Sequence, residues 1–416
     1  MRRSLSMRWQ RFALFFAVMG PGIITGAVDN DAPGIATYSM AGARFGYRML
    51  WILLFLMITL ALIQEMTSRM GVVTGKGLGA LIRERFGLRT AFYVLAALAF
   101  ANAGTTIAEF AGIAAAGEIF GVSRYLTVPL GAVFVWLLVL RGSYRTVERF
   151  FLAFSLLYVT YIVSGFLAQP PWAEVLREMV TPQVSLEPSF LLTMIAIVGT
   201  TIAPWMQFYQ QAAVADKGIS LKHYPQERLD SYVGSFVTVF VCFFVMVACG
   251  ALLYPRGIRV ETAGEAALAL APLAGRYCSA LFALGLLNSS VMGASILPLS
   301  TAYAVSEAFG WESAVARPFR EARPFYYFYT GMIVLGALAV LVPGLNLMQV
   351  MLLSQAVNGM VLPVVLVLML LIINDPRVMG RYTNPRITNI LCWAQAILVT
   401  LATAALVVTT FLQPAA

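Results

Sequence analysis

The stretch "GAVDNDAPGIATY", Gly26 to Tyr38, sets Asp29 and Asp31 beside Pro33 and Gly34 in surroundings that are otherwise apolar. Proline lacks a backbone donor and collides with the preceding turn, so a helix through this stretch is predicted to unwind around residues 29–34. Of the 416 residues, 60% are hydrophobic and only 11% charged, and the mean hydropathy is +0.82. No soluble domain has that composition, so the chain is read as an all-α protein of the bilayer.

Apolar runs able to cross about 30 Å of hydrocarbon recur at 12–28, 31–39, 46–66, 91–119, 126–140, 150–168, 189–213, 231–254, 277–308, 325–343, 346–373 and 389–412. If the first two are halves of one broken helix, they make eleven spans. A second interruption falls in "GTTIAPWMQFYQQ", Gly199 to Gln211, where Pro204 sits in the middle of the sixth span. Proline kinks are common in membrane helices and a single one signifies packing alone. Two breaks five spans apart point instead to inverted repeats with a binding site at the midplane. The single transporter domain, 1–416, then divides into repeat one at about 12–168, repeat two at about 189–373 and an eleventh helix at about 389–412. Carboxylates inside a membrane are costly and default to functional sites, so Asp29 and Asp31 are expected to meet a cation.

Three-quarters of the 28 Lys and Arg fall on one side if the amino terminus, the 67–90 loop and the loops around 141–149, 215–230, 311–324 and 375–388 face inward. The positive-inside bias therefore predicts a cytoplasmic amino terminus and an external carboxyl terminus, in a multi-pass plasma-membrane protein. The net charge of +9 fits these loops and anionic lipid, leaving no need for a nucleic-acid partner. The basic start runs into the first span without a small-residue cleavage site, so no cleavable signal is expected. The longest external loops, about 169–188 and 254–276, are too short for an extramembrane domain.

Cys242, Cys249, Cys278 and Cys392 show no CxxC spacing and read as small core residues. The 19 methionines are scattered without a repeat and read as gap fillers. The only histidine, His223, lies in the polar loop "DKGISLKHYPQERLDS", where a solvated role is expected. Glu65 is expected to pair with Arg69 at i+4, and Glu118 to lie at the interface.

The stretches "AGARFGYRMLWILL", "SRMGVVTGKGLGALIRERF", "LRGSYRTVERF", "LSQAVNGMVLPVVLV" and "NDPRVMGRYTNPRITNIL" resemble the NRAMP family of divalent-metal transporters, from about residue 18 to residue 400. That resemblance implies a LeuT-like fold of inverted 5+5 helix repeats plus an eleventh helix, with helices 1 and 6 broken at the midplane. It also implies a metal site between the two breaks and alternating access. Family members carry Asp-Pro-Gly-Asn in the first helix; here the stretch is Asp31-Ala32-Pro33-Gly34, so the asparagine ligand becomes Gly34. Where the family has Met-Pro-His in the sixth, this chain has Ala203-Pro204-Trp205, losing thioether and imidazole together.

Soft sulfur favours transition metals, whereas Mg²⁺ takes carboxylate, carbonyl and water oxygen. Replacing Asn by Gly and Met by Ala also enlarges the cavity, which suits an ion that keeps several waters. In these departures the chain resembles the NRAMP-related magnesium transporter branch. The family's proton route uses an acidic pair on the third helix and histidines on the sixth; here Glu109 remains, Thr106 stands for the aspartate, and Trp205 and Gln210 replace the histidines. The expected function is therefore uptake of Mg²⁺, and also Mn²⁺, as a largely hydrated ion without proton coupling. The alternative is a proton-coupled Mn²⁺/Fe²⁺ symporter of the ordinary family type.

By the same resemblance Asp31 is the direct or single-water ligand, the Thr200 carbonyl a backbone ligand, Ala203 the position of the lost sulfur, and Gln355 a glutamine near the metal. Asn358, at i+3 from Gln355, shares its face. Asp29 either adds negative field or pairs structurally. The Gln207 amide either holds a hydration water or makes a helix-helix hydrogen bond. Glu109 attracts cations or pairs with an arginine. No cofactor beyond the transported ion is expected, the partners are the metal ion and the bilayer, and the chain is expected to act as a monomer. An amino-acid carrier is disfavoured because carboxylates sit where a substrate carboxylate would want helix amino ends. An intramembrane enzyme would need a nucleophile with a base or a His-rich metal set, a receptor a signalling domain, and a channel would show flux that does not saturate.

Overall fold

The structure, a computed structural model, describes residues 25–26, 28–141, 158–310 and 322–412. Among these the regular elements are helical, as they must be where lipid offers no hydrogen-bond partner to the backbone. The principal helices are α1 (Ala32–Phe45), α2 (Leu50–Thr74), α3 (Leu78–Ile119), α4 (Arg124–Arg141), α5 (Val159–Leu167), α6 (Trp172–Val180) and α7 (Pro188–Thr201). They continue with α8 (Pro204–Asp216), α9 (Tyr224–Leu252), α10 (Cys278–Phe309), α11 (Arg323–Val340), α12 (Leu347–Ile373) and α13 (Arg386–Leu412).

Seven stretches among the described residues are long and apolar enough to cross a bilayer: Leu50–Thr74, Leu78–Ile119, Pro188–Asp216, Leu221–Arg256, Gly275–Phe309, Leu347–Ile373 and Arg386–Thr409. The expected spans at 126–140 and 325–343 are present as the 18-residue helices α4 and α11. The expected run 12–28 and the first half of 150–168 lie largely outside the described residues.

Three boundaries differ from the sequence reading. The expected 67–90 loop is almost entirely helix: α2 runs on to Thr74, ends at Gly75 in the left-handed region (φ 63), and α3 begins at Leu78. Its charged residues ride on a helical extension, bent at Gly87 where φ is 83. The first break is narrower than 29–34. Residues 28–29 are helical, Asn30 and Asp31 are not, and α1 starts at Ala32. Pro33 and Gly34 therefore sit inside its first turn, where a missing N–H costs nothing and the fixed φ suits the helix. The segments 169–188 and 254–276, expected as external loops, carry α6 and short helices, one opened by a capping box between Thr262 and Glu265.

Helices α3, α10 and α12 form the centre, with α9 laid across α1 and α2. Small residues set the closest crossings, as expected where lipid removes the hydrophobic drive between helices. At Gly199 an added Cβ would lie 2.0 Å from the Gln355 carbonyl oxygen and 2.3 Å from the Gly359 nitrogen, so α7 touches α12 backbone to backbone just before the second break. The expected Glu65–Arg69 pair forms at 3.2 Å, both side chains buried. Arg69 also donates to the Tyr382 and Thr383 carbonyls at 3.1 and 3.2 Å and to Asn384 Oδ1, while the Tyr224 hydroxyl donates to Glu65. This network ties α2 to the start of α9 and to the α12–α13 connection. Glu118 pairs with Arg124 near the surface. The four cysteines are free and buried, and His223 lies half-exposed beside Ser220.

Candidate metal site

Both breaks owe their shape to the proline that follows. A helical carbonyl at i−4 from proline has no N–H to receive; Pro33 thereby frees the Asp29 carbonyl, and Pro204 frees that of Thr200. Asp31 caps α1, its Oδ1 accepting the Gly34 N–H at 2.6 Å. Ala203 caps α8 with extended backbone (φ −71, ψ 140) and no side-chain hydrogen bond. The cap on α1 is thus a carboxylate and the cap on α8 bare backbone.

The two breaks face each other across Gly34. A Cβ there would lie 2.9 Å from Asp31 Oδ1, 3.0 Å from Thr200 Oγ1 and 3.2 Å from the Asp29 carbonyl oxygen. One turn on from Gly34, the Tyr38 hydroxyl and Thr201 Oγ1 are 2.7 Å apart, pinning α1 to the end of α7. Gly34 is therefore the gap between the breaks, and its lack of a side chain keeps that gap open.

Around this gap buried polar atoms lack partners. Both Asp29 carboxylate oxygens, Thr200 Oγ1, Gln355 Nε2 and Asn358 Oδ1 are all buried without a hydrogen bond. Such orphans are costly in an interior and mark a place built for something else to bind. The Glu109 carboxylate, on α3, faces Asp31 and the Ala32 N–H. It can do so because α10 presents Gly293, where a Cβ would meet Glu109 Oε1 at 2.1 Å. On α12, Asn358 Nδ2 donates to Gln355 Oε1 at 2.9 Å and to Thr105 Oγ1 at 2.8 Å. That pair is locked to α3 with one donor and one acceptor left over.

Other predicted positions point elsewhere. The Gln207 amide, with its nitrogen turned toward the break, donates to the Ala203 and Pro204 carbonyls at 2.9 and 2.8 Å. It therefore steadies the start of α8. The Thr106 hydroxyl donates to the Asn102 carbonyl at 2.7 Å, and its methyl faces Gly336 on α11. Trp205 is buried beside Tyr209, and its carbonyl accepts from Ser300 Oγ at 3.0 Å. Gln210 is bound into a polar cluster, donating to Ser68 Oγ at 2.8 Å and Ser231 Oγ at 3.1 Å.

Asn30 was not singled out by sequence, although it lies between the two aspartates. It is buried, accepts from Cys242 Sγ at 3.3 Å, and leaves Nδ2 unpaired. Tyr38 and Gly293 were also missed, since their roles depend on a partner distant in the chain. Among the described residues no three His, Cys, Asp or Glu side chains gather into a metal cage. An ion here would be held by Asp31 and Asp29, freed carbonyls, amides and water.

Residues 22–409 match the family described as natural resistance-associated macrophage protein-like, or Nramp. The chain belongs to the Nramp family. Among its Nramp relatives, the divalent metal cation transporter MntH of Verminephrobacter eiseniae is 26% identical, covering 99% of this chain and 93% of that protein. The MntH protein of Bacillus subtilis is 24% identical over 94% of this chain and 92% of its own length. The fold matches a crystal structure of the Eremococcus coleocola manganese transporter with TM-score 0.74 at 21% identity, covering 94% and 86% of the two chains. Mhp1, a nucleobase-cation-symport-1 family transporter, matches with TM-score 0.57 at 13% identity over 94% and 93%. This Nramp chain has the LeuT-like architecture: inverted five-helix repeats with broken helices 1 and 6, here α1 with the segment before it and α7 with α8.

Proposed function

We propose that this Nramp-family chain carries divalent cations inward by alternating access, taking Mg²⁺ and also Mn²⁺ as largely hydrated ions and moving no protons with them. The observation that carries the reading is the gap at Gly34, bordered by Asp31, Thr200 and the Asp29 carbonyl, with Ala203 contributing only backbone. The side chains that the breaks themselves contribute are carboxylate, hydroxyl and amide, the set that hard cations prefer, and the nearest sulfur, Cys242 of α9, is turned to Asn30 Oδ1. Open space beside an anionic cap suits an ion that keeps waters. A dication gains about 4.6 kcal/mol per 100 mV of inside-negative potential, twice the unit-charge figure, so entry needs no proton gradient. We further propose that Asp31, Asp29, Gly34, Thr200, Ala203, Gln355 and Asn358 line the ion site, with Gln207 supporting it and Glu109, Trp205 and Thr106 beside the pathway. The amino terminus is assigned to the cytoplasm of a prokaryotic cell, the carboxyl terminus to the exterior, repeat one to about 12–168 and repeat two to about 189–373, in a monomer.

One observation favours a second reading, proton-coupled Mn²⁺ or Fe²⁺ symport: Glu109 faces Asp31, and a buried carboxylate pair can share a proton. Relatives are named as manganese or divalent metal transporters as well. Flux into liposomes with a pH dye inside separates the two. Saturable Mg²⁺ entry, lost in Asp31→Ala and without acidification, supports the uncoupled reading. Mn²⁺ entry with acidification and no Mg²⁺ entry supports the symporter.

A further inference from the structure

Two cavities lie end to end on the outer side of α12, away from the ion site. One, of about 520 Å³, is bordered by Arg85, Asn374, Asp375, Arg377 and Trp393. The other, of about 620 Å³, is bordered by Val94, Pro363, Val364, Val367 and Leu368 with Thr400 of α13. They share three walls, α3, α12 and α13. The α12 residues that line them, from Met360 through Val364, Val367 and Leu368 to Leu371, follow helical spacing along a single face. Together they form one groove with a charged end and an apolar end.

The charge balance at the polar end is positive. Asp375 is already engaged: Oδ2 pairs with Arg85 at 2.8 Å, and Oδ1 accepts the Arg377 N–H at 2.9 Å. The exposed guanidinium group of Arg377 makes no ion pair among the described residues, so the two arginines of this end outweigh its one carboxylate. Fifteen residues of helix from Asn374 to Met360 span about 21 Å at 1.5 Å per residue. That is about the depth of one leaflet with its headgroups. Trp393 lines the polar end, as suits tryptophan's preference for the membrane interface.

From this juxtaposition we propose that the α3–α12–α13 groove binds one anionic phospholipid, its phosphate at Arg377 and Arg85 and one acyl chain along Val364, Val367 and Leu368. Basic pockets between helices at a membrane face take acidic headgroups in this way. The groove backs onto the helices that carry Glu109, Gln355 and Asn358, so an occupied groove braces α13 against both.

The test uses the whole protein in phosphatidylcholine vesicles with rising amounts of phosphatidylglycerol whose acyl chains are dibrominated. The signal is quenching of Trp393, taken as the difference between wild type and Trp393→Phe. Dibrominated phosphatidylglycerol is expected to quench Trp393 saturably, at a mole fraction at least about fivefold below that needed with dibrominated phosphatidylcholine. Arg377→Ala should erase the difference between the two lipids, and Val364→Phe, which fills the groove without touching charge, should lower quenching by both. Both positions are surface-exposed, and a monodisperse elution profile verifies that the variants fold. Equal quenching by the two lipids in wild type overturns the proposal, as does a preference for phosphatidylglycerol that survives Arg377→Ala. Protection of Trp393 from both lipids, with disulfide cross-linking of Ile397→Cys between chains, would assign the groove to a second copy and equally overturn it.

Discussion

Gly34→Ala puts the proposed ion site to a quantitative test. The new methyl would sit 2.9 Å from Asp31 Oδ1 and 3.0 Å from Thr200 Oγ1, closer than carbon and oxygen normally pack, and it occupies about the room of one water, ~30 Å³. The backbone does not oppose the change. Gly34 lies in the first turn of α1, and alanine in a helix is favoured over glycine by up to about 1 kcal/mol. Any loss therefore falls on the Asp31 cap and the contents of the gap. If the ion enters with its waters, one water position goes, with a hydrogen bond to a charged group that contributes about 1.5–3 kcal/mol. The half-saturating Mg²⁺ concentration should then rise between about tenfold and 150-fold. Mn²⁺ sheds water more readily and should suffer less. Uptake measured in liposomes over a range of each ion gives both numbers. A Mg²⁺ shift below about threefold, or equal shifts for the two ions, would refute the hydrated-ion argument.

Ala203→Met returns a thioether to the break and should raise the preference for Mn²⁺ over Mg²⁺, read from competition uptake, because soft sulfur adds affinity only for the transition metal. Gly199→Ala drives a methyl against the backbone of α12 at 2.0 Å; backbone cannot step aside as a side-chain tip can, so overpacking of about 1–3 kcal/mol should lower both the melting temperature in detergent and uptake. Arg69→Ala leaves buried Glu65 without its cation, a loss of about 3–5 kcal/mol that should appear as a large drop in thermal stability, whereas Arg69→Ala with Glu65→Gln should recover part of it. Imposing inside-negative potentials with a potassium ionophore should drive Mg²⁺ accumulation steeply, about 2,000-fold per 100 mV at equilibrium for two charges, while an imposed proton gradient should leave it unchanged.

The broken helices were legible in sequence because proline acts locally. Pro33 and Pro204 remove an N–H wherever they stand, and the surrounding run of apolar residues leaves no other way to read the segments. The extent of the first break was less legible. A proline can lie before, within or just after an unwound stretch, and only the cap formed between Asp31 and the Gly34 N–H places Pro33 inside the helix. The 67–90 segment misled for a related reason: its charges suggested a loop, yet a helix that reaches out of the membrane can carry charge at no cost.

By itself, then, the amino-acid order determined the membrane class, the two interruptions and the anionic residues beside the first, since each follows from hydropathy or from the covalent chemistry of proline. Tertiary structure decided which of those residues meet. That Gly34 opposes Thr200, that Glu109 turns toward Asp31 over Gly293, that Thr106 turns away to α11 and that Gln207 folds back onto its own helix all depend on the rotation and crossing of helices far apart in the chain. Those angles are set by close contacts such as Gly199 on Gly359, and no local pattern of residues encodes them.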